Sequence, residues 1–126
     1  MKKQIQISGA PAPVGPYSQA IMISNTLYVS GQIPLVPTTG QLITDSIEDA
    51  THQVMKNIQA LVEEAGLSLE NIVKCSIFLK SMDDFARMNQ VYSSYFKDIP
   101  PARETVQVAK LPLDVSVEIS CIAVKF

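Results

Sequence analysis

Two periodicities alternate along the chain. Short stretches over Gln4 to Ser8, Ser18 to Ile23 and Leu27 to Ile33 carry the alternation and β-favouring residues of strands, the last two joined by Ser24-Asn25-Thr26 as a hairpin. Ile72-Val73-Lys74-Cys75-Ser76-Ile77-Phe78-Leu79 is a fourth such run. Between them, Ile47, Ala50, Val54, Ile58, Leu61, Val62 and Ala65 recur at helical spacing. Ser46 with Glu48 and Asp49 supplies an N-cap and an acidic first turn, and Gly66 closes the helix. Ser81-Met82-Asp83-Asp84 caps a second helix whose inward face is Phe85, Met88, Val91, Tyr92, Tyr95 and Phe96. That aromatic stripe reads as core. After Pro100-Pro101, the residues beyond Arg103 alternate again, and Pro112 with Asp114 turns the chain into Val115 to Val124. These last two strands are expected to form a terminal hairpin.

The predicted order is β, β, β, α, β, α, β, β, a mixed sheet with two helices on one face, in a single α+β domain over residues 1–126. Strand, long helix, strand implies a right-handed parallel crossover. In the last strand Val115, Val117, Ile119, Cys121 and Ala123 point one way, and Ser116, Glu118, Ser120, Ile122 and Val124 the other. Both faces therefore carry apolar residues. Helices on one face leave the reverse uncovered, and a second copy of the chain is the simplest cover.

Composition narrows the chemistry. A hydrophobic fraction of 47% is high for a small soluble domain and is consistent with subunit interfaces. The net charge of −2 leaves no phosphate-neutralising field, so nucleic-acid binding is not expected. No apolar run reaches the roughly 20 residues of a membrane span, and the first residues lack a secretory core, so a cytoplasmic location is expected. His52 is the only histidine, which argues against a Ser/His/Asp triad or a histidine-rich metal site; it falls on the polar side of its helix and is read as solvated. Cys75 and Cys121 sit in apolar runs without CxxC spacing and read as buried free thiols. Phosphate-cradling glycine motifs are absent from the sequence.

What remains is a pair of charges inside apolar strands, Arg103 and Glu118. They either pair with each other across the hairpin or serve a ligand, for which the arginine fork suits a carboxylate. Residues 9–16, with three prolines and two glycines, form a stiff loop that delivers Tyr17.

Several segments then fall into one pattern: Pro11-Ala12-Pro13-Val14-Gly15-Pro16-Tyr17-Ser18-Gln19-Ala20, Ser30-Gly31-Gln32-Ile33-Pro34, Phe85-Ala86-Arg87-Met88-Asn89, Pro101-Ala102-Arg103, and Leu111-Pro112 with Val117-Glu118-Ile119. In this order and spacing they resemble the RidA (YjgF) family of reactive intermediate deaminases, over almost the entire chain. The resemblance implies a chorismate-mutase-like fold and a homotrimer whose sheets form a central barrel, with active sites in clefts between subunits. It implies hydrolysis of 2-imino and enamino acids, such as 2-aminoacrylate and 2-aminocrotonate, to 2-keto acids and ammonia, with no cofactor and no metal. Arg103 matches the arginine that binds the substrate carboxylate, and Glu118 the acid that holds the attacking water. Tyr17 and Asn89 match pocket residues, Tyr17 being counted with Arg103 and Glu118 as catalytic; Ser30 and Phe85, in the same motifs, are expected to bind substrate with Asn89, and Gly31 and position 105 would give backbone contacts. Position 105 is a departure, since many members carry cysteine where this chain has Thr105. On this reading Arg103 has no protein carboxylate as partner and awaits a substrate. The alternatives are a non-catalytic module that binds 2-keto acids or similar carboxylates, and a ribonuclease or translation inhibitor.

Overall fold

The computed structural model describes residues 1–10 and 13–126, so Pro11 and Ala12 of the proline-rich loop lie outside the described residues. Six strands form one sheet: β1 (Lys3–Ile5), β2 (Ala20–Ile23), β3 (Thr26–Gln32), β4 (Ile72–Leu79), β5 (Ala102–Gln107) and β6 (Val117–Val124), in the spatial order β1-β2-β3-β6-β4-β5. Two helices, α1 (Ile47–Glu64) and α2 (Phe85–Ser93), accompany it. This is the α+β class and element order that the periodicities predict.

Local chemistry sets the boundaries of α1. The Ser46 hydroxyl accepts the Asp49 amide at 3.0 Å, and the chain leaves the helix through Gly66 at φ +80°, a left-handed position where a Cβ is strained. Its inward stripe, including Val54, Ile58, Leu61 and Val62, is fully buried. Each such side chain stabilises the fold by roughly 1.5–3 kcal/mol relative to exposure. Buried polar residues on α1 are satisfied: Thr51 donates to the Ile47 carbonyl, and Asn57 donates to the carbonyls of Leu35 and Ile33, fastening the segment that leaves β3.

The sheet differs from the prediction at its centre. The β2–β3 hairpin forms, with Ser24 at φ 52°, and β3 and β4 run in the same direction around α1. However, β6 inserts antiparallel between them, and β5 pairs in parallel with the far edge of β4. The strands bearing Arg103 and Glu118 are therefore not a hairpin. The turn that separates them is real, a 3-10 turn at Pro112–Asp114, but the chain then passes beyond β4 before it pairs.

α2 is shorter than its aromatic stripe. A 3-10 turn at Met82–Asp84, capped by the Ser81 hydroxyl, precedes it, and Tyr95 and Phe96 lie past its end while still packing on the core. His52 is half-buried rather than solvated, because its Nδ1 shares a 2.8 Å hydrogen bond with the Tyr95 hydroxyl. Cys75 and Cys121 are buried free thiols directly opposite each other on β4 and β6, and burial pushes both thiols up in pKa, away from the nucleophilic thiolate.

The two sheet faces are unlike. Ile77, Leu79, Val117, Ile119 and Ala123 face the helices and are fully buried, whereas Ile21, Tyr28, Phe78, Ile122 and Val124 face the other way and stay partly exposed. Among the described residues, no element covers that second face.

Candidate active site

Arg103 lies on β5, in register with Cys75, and its side chain points to the helix face. There α2 receives it. Nη1 donates to the Asn89 Oδ1 at 2.6 Å, and the guanidinium carbon lies 5.0 Å from the Tyr92 ring centroid and 5.6 Å from that of Phe85. Asn89, Phe85 and Tyr92 reach one spot because they stand four, seven and three residues apart along one helix. Among the described residues Arg103 has no carboxylate partner, while Lys74 and Lys80 each have one and Arg87 has two. Its charge is thus cradled by a neutral amide and two rings, with the remaining guanidinium N–H groups available. Thr105, two residues on, faces the same way; its hydroxyl oxygen is buried without a hydrogen-bond partner.

Glu118 belongs to the opposite face. It is in register with Phe78, three residues beyond Cys75 on β4, which puts it about 10 Å further along the strand from the level of Arg103. Alternation turns its side chain to the uncovered face. The alternative of an Arg103–Glu118 ion pair across a hairpin is therefore excluded within one chain. The carboxylate lies over Gly31: a Cβ built there would sit 2.5 Å from Oε2, so only glycine allows the approach. The register shift in β3 between Val29 and Gln32 accompanies this contact. Burial pushes the Glu118 carboxyl above the ordinary carboxylate range, and no charged group is among the causes.

Tyr17 stands on the loop that leads into β2, and this loop is tied to β3. Ser30 fastens the loop: its hydroxyl donates to the Ser18 carbonyl at 2.7 Å and its amide to the Gln19 carbonyl at 2.9 Å. The Gln19 side chain accepts the Ile7 amide at 3.0 Å, and the Tyr17 ring packs by Gly15. Tyr17 itself remains 57% exposed, an aromatic on a loop that Ser30 braces.

The predicted residues thus form two half-sites. One groups the candidates Arg103, Asn89, Phe85 and Thr105 on the helix face near the β5 edge; the other groups the candidates Gly31 and Glu118 toward the uncovered face, with Tyr17 on the loop that Ser30 braces. Sequence reasoning assigned Tyr92 to the core. It is 4% exposed, yet it also underlies the guanidinium, and only the position of Arg103 after the fold is known reveals this second duty. A cleft of about 750 Å³, lined by Tyr95, Phe96, Ile99, Pro100, Pro101 and Phe126 among others, contains none of the half-site residues. Its volume marks space rather than chemistry, since the unpaired charge and the desolvated acid lie elsewhere. Among the described residues no cluster of three or more His, Cys, Asp and Glu could hold a metal, and no helix is long and apolar enough to cross a membrane.

Comparison with known proteins agrees with these motifs. A family model described as Endoribonuclease L-PSP matches residues 7–125. A RutC family protein of Pyrococcus horikoshii is 50% identical over 125 residues, covering 99% of this chain and 99% of its own. The chloroplastic Reactive Intermediate Deaminase A of Arabidopsis thaliana is 43% identical over 122 residues, 97% of this chain and 65% of its own. A solved structure of E. coli TdcF with bound serine superposes with a TM-score of 0.93 at 39% identity, covering 98% of this chain and 99% of that one. The chain belongs to the Endoribonuclease L-PSP family, the RidA/YjgF family whose motifs run along it.

Proposed function

We propose that this protein hydrolyses reactive 2-imino and enamino acids to 2-keto acids and ammonia, in the cytoplasm, at sites formed between the subunits of a homotrimer. The observation that carries the reading is the separation of the two half-sites. Arg103 has no protein carboxylate and Glu118 has no protein cation, yet they point to opposite faces of one sheet. One copy cannot bring them together, whereas the half-site of one copy can meet the other half-site of a neighbour. The uncovered apolar face offers the surface on which copies would associate, with the sheets turned inward as a barrel.

In such a cleft Arg103 grips the substrate carboxylate with the N–H groups that Asn89 leaves free. The amides of Gly31 and Thr105 would add backbone contacts, Tyr17 would close the pocket, and Ser30 supports it by holding the loop. An enamine first tautomerises to its imine. Glu118 takes a proton from water as the oxygen attacks C2 and returns it to the nitrogen; the resulting carbinolamine then loses its hydroxyl proton as the C=O bond forms and the C–N bond breaks, releasing ammonia. Imine hydrolysis already proceeds in water, so positioning with modest acid/base help suffices and neither metal nor organic cofactor is needed. The serine in the TdcF structure supports a ligand with an α-carboxylate, and it fits equally the second reading of a carboxylate-binding module without turnover. RNA cleavage is disfavoured by the net charge of −2.

The test is ammonia release from imines generated in situ by an amino-acid oxidase, with wild type and Arg103→Ala in parallel. Acceleration by wild type and its loss in a folded, assembled Arg103→Ala protein are expected. Equal acceleration by both would remove Arg103 from the site. Tight 2-ketobutyrate binding without acceleration would favour the module.

A further inference from the structure

We propose that Tyr92 is a positioning residue for Arg103, its ring forming the floor that fixes the guanidinium in the orientation needed to bind a carboxylate. The inference rests on the reading of Arg103 as the carboxylate anchor, and it assigns a duty to a residue that periodicity alone places in the core. Arginine is long and rotamer-rich, so an anchor built on it depends on what restrains its head. Three groups do so here. Asn89 takes one N–H at 2.6 Å, Phe85 stands 5.6 Å from the guanidinium carbon, and Tyr92 stands closest at 5.0 Å, both rings within the roughly 6 Å over which a ring attracts a cation. Tyr92 is also the most rigid of the three, since it is 4% exposed whereas Phe85 and Asn89 are only half-buried.

The ring carries this duty and the hydroxyl does not. The Tyr92 oxygen is buried, makes no hydrogen bond to Arg103, and has the Cys75 thiol as its polar neighbour, a weak partner off ideal hydrogen-bond geometry. Removing that oxygen leaves the aromatic floor intact and gives up only the weak contact to the Cys75 thiol, which does not involve Arg103. Replacing the ring by an aliphatic side chain keeps the site apolar but ends the cation–ring attraction. The two substitutions therefore separate positioning from packing.

The experiment compares wild type, Tyr92→Phe, Tyr92→Leu and Phe85→Leu in the full chain. Affinity for 2-ketobutyrate is measured by calorimetry, and the Arg103 Nε–H signal is followed by NMR without ligand. Tyr92→Leu is expected to weaken binding about ten-fold, raising KM for imines more than it lowers kcat, and to move the Nε–H signal out of the ring-shifted region. Tyr92→Phe should recover affinity to within about two-fold, and Phe85→Leu should lose about three-fold. If Tyr92→Leu does not fold, Phe85→Leu and Tyr92→Phe still test the ring-against-hydroxyl distinction. An unmoved Nε–H signal in a folded leucine variant, or a phenylalanine variant as weak as the leucine one, would overturn the proposal. Failure of the deaminase reading looks different: wild type would not accelerate imine hydrolysis, while the NMR comparison would still report whether Tyr92 holds Arg103.

Discussion

The two faces of the sheet are made from the same six strands and behave oppositely. On the helix face, Leu27, Ile77, Leu79 and Ile119 are sealed by α1 and α2, and even a charged group there, Arg103, is cradled. On the other face, Tyr28 is 50% exposed and Ile21, Phe78, Ile122 and Val124 are partly exposed, around a glutamate that burial already discourages from ionising. A finished core and an unfinished one lie back to back. The difference teaches that burial on the helix face carries the stability of the chain, while the candidate residues are divided between the two faces, Arg103 at the edge of the sealed one and Glu118 on the open one.

The largest effect should come from disturbing each face in turn. Ile58→Ala on α1 removes a fully buried side chain and is expected to destabilise the subunit by roughly 2–5 kcal/mol, seen as a lowered denaturant midpoint. Ile122→Asp on the uncovered face should leave the subunit folded by circular dichroism yet yield monomers in light scattering, with loss of imine hydrolysis. A subunit unfolded by Ile122→Asp, or an assembly indifferent to it, would erase the contrast between the faces.

A smaller and more specific effect is expected at Glu118. Its pKa is raised by burial, so the protonated form is favoured in the folded chain. The ionised carboxylate thus subtracts stability once pH exceeds the folded pKa, and the penalty is absent below the unfolded value. A base must be ionised, however, so the acid limb of the rate profile should lie above the pH of an ordinary carboxylate. Glu118→Gln is expected to lower kcat by at least about 100-fold, abolish that limb and raise stability at neutral pH. Gly31→Ala should act on the same group from below, because a methyl 2.5 Å from Oε2 forces the carboxylate aside. A rate profile with no acid limb in wild type would release Glu118 from the role of base.

Much of this contrast was legible before the structure. The cap at Ser46, the stop at Gly66 and the alternation in β6 are local signals, and each fixes an element or a face from a few neighbouring residues. Pairing is not local. Alternation says which way Arg103 and Glu118 point only relative to their own strands, so the expected hairpin could not reveal that β4 separates them. The same limit hid the duty of Tyr92, since a helical period reports that a ring is inward but not which side chain rests on it. His52 was misread because its partner, Tyr95, comes 43 residues later. The motifs, by contrast, singled out candidate residues of both groups without indicating that Arg103 and Glu118 belong to different faces.

The smallest effect should lie at the edge of the uncovered face, where Lys74 meets Glu104 at 2.8 Å and the Ser76 hydroxyl donates to the same carboxylate. These contacts, Lys74 first and Ser76 second, hold the Glu104 carboxyl below the usual range. Their contribution is therefore present above the unfolded pKa and fades as pH falls through the folded one. In an isolated chain both partners are exposed, water screens the pair, and Glu104→Gln should scarcely change thermal unfolding at any salt concentration. In an assembly that covers this face the same pair loses its water, and breaking it leaves Lys74 uncompensated. Glu104→Gln is therefore expected to weaken association, with a larger effect at low ionic strength, while unfolding of the dilute monomer stays unchanged. Equal and negligible effects on both measurements would place the Lys74 edge outside any interface and confine the contact between copies to the apolar strands β2, β3 and β6.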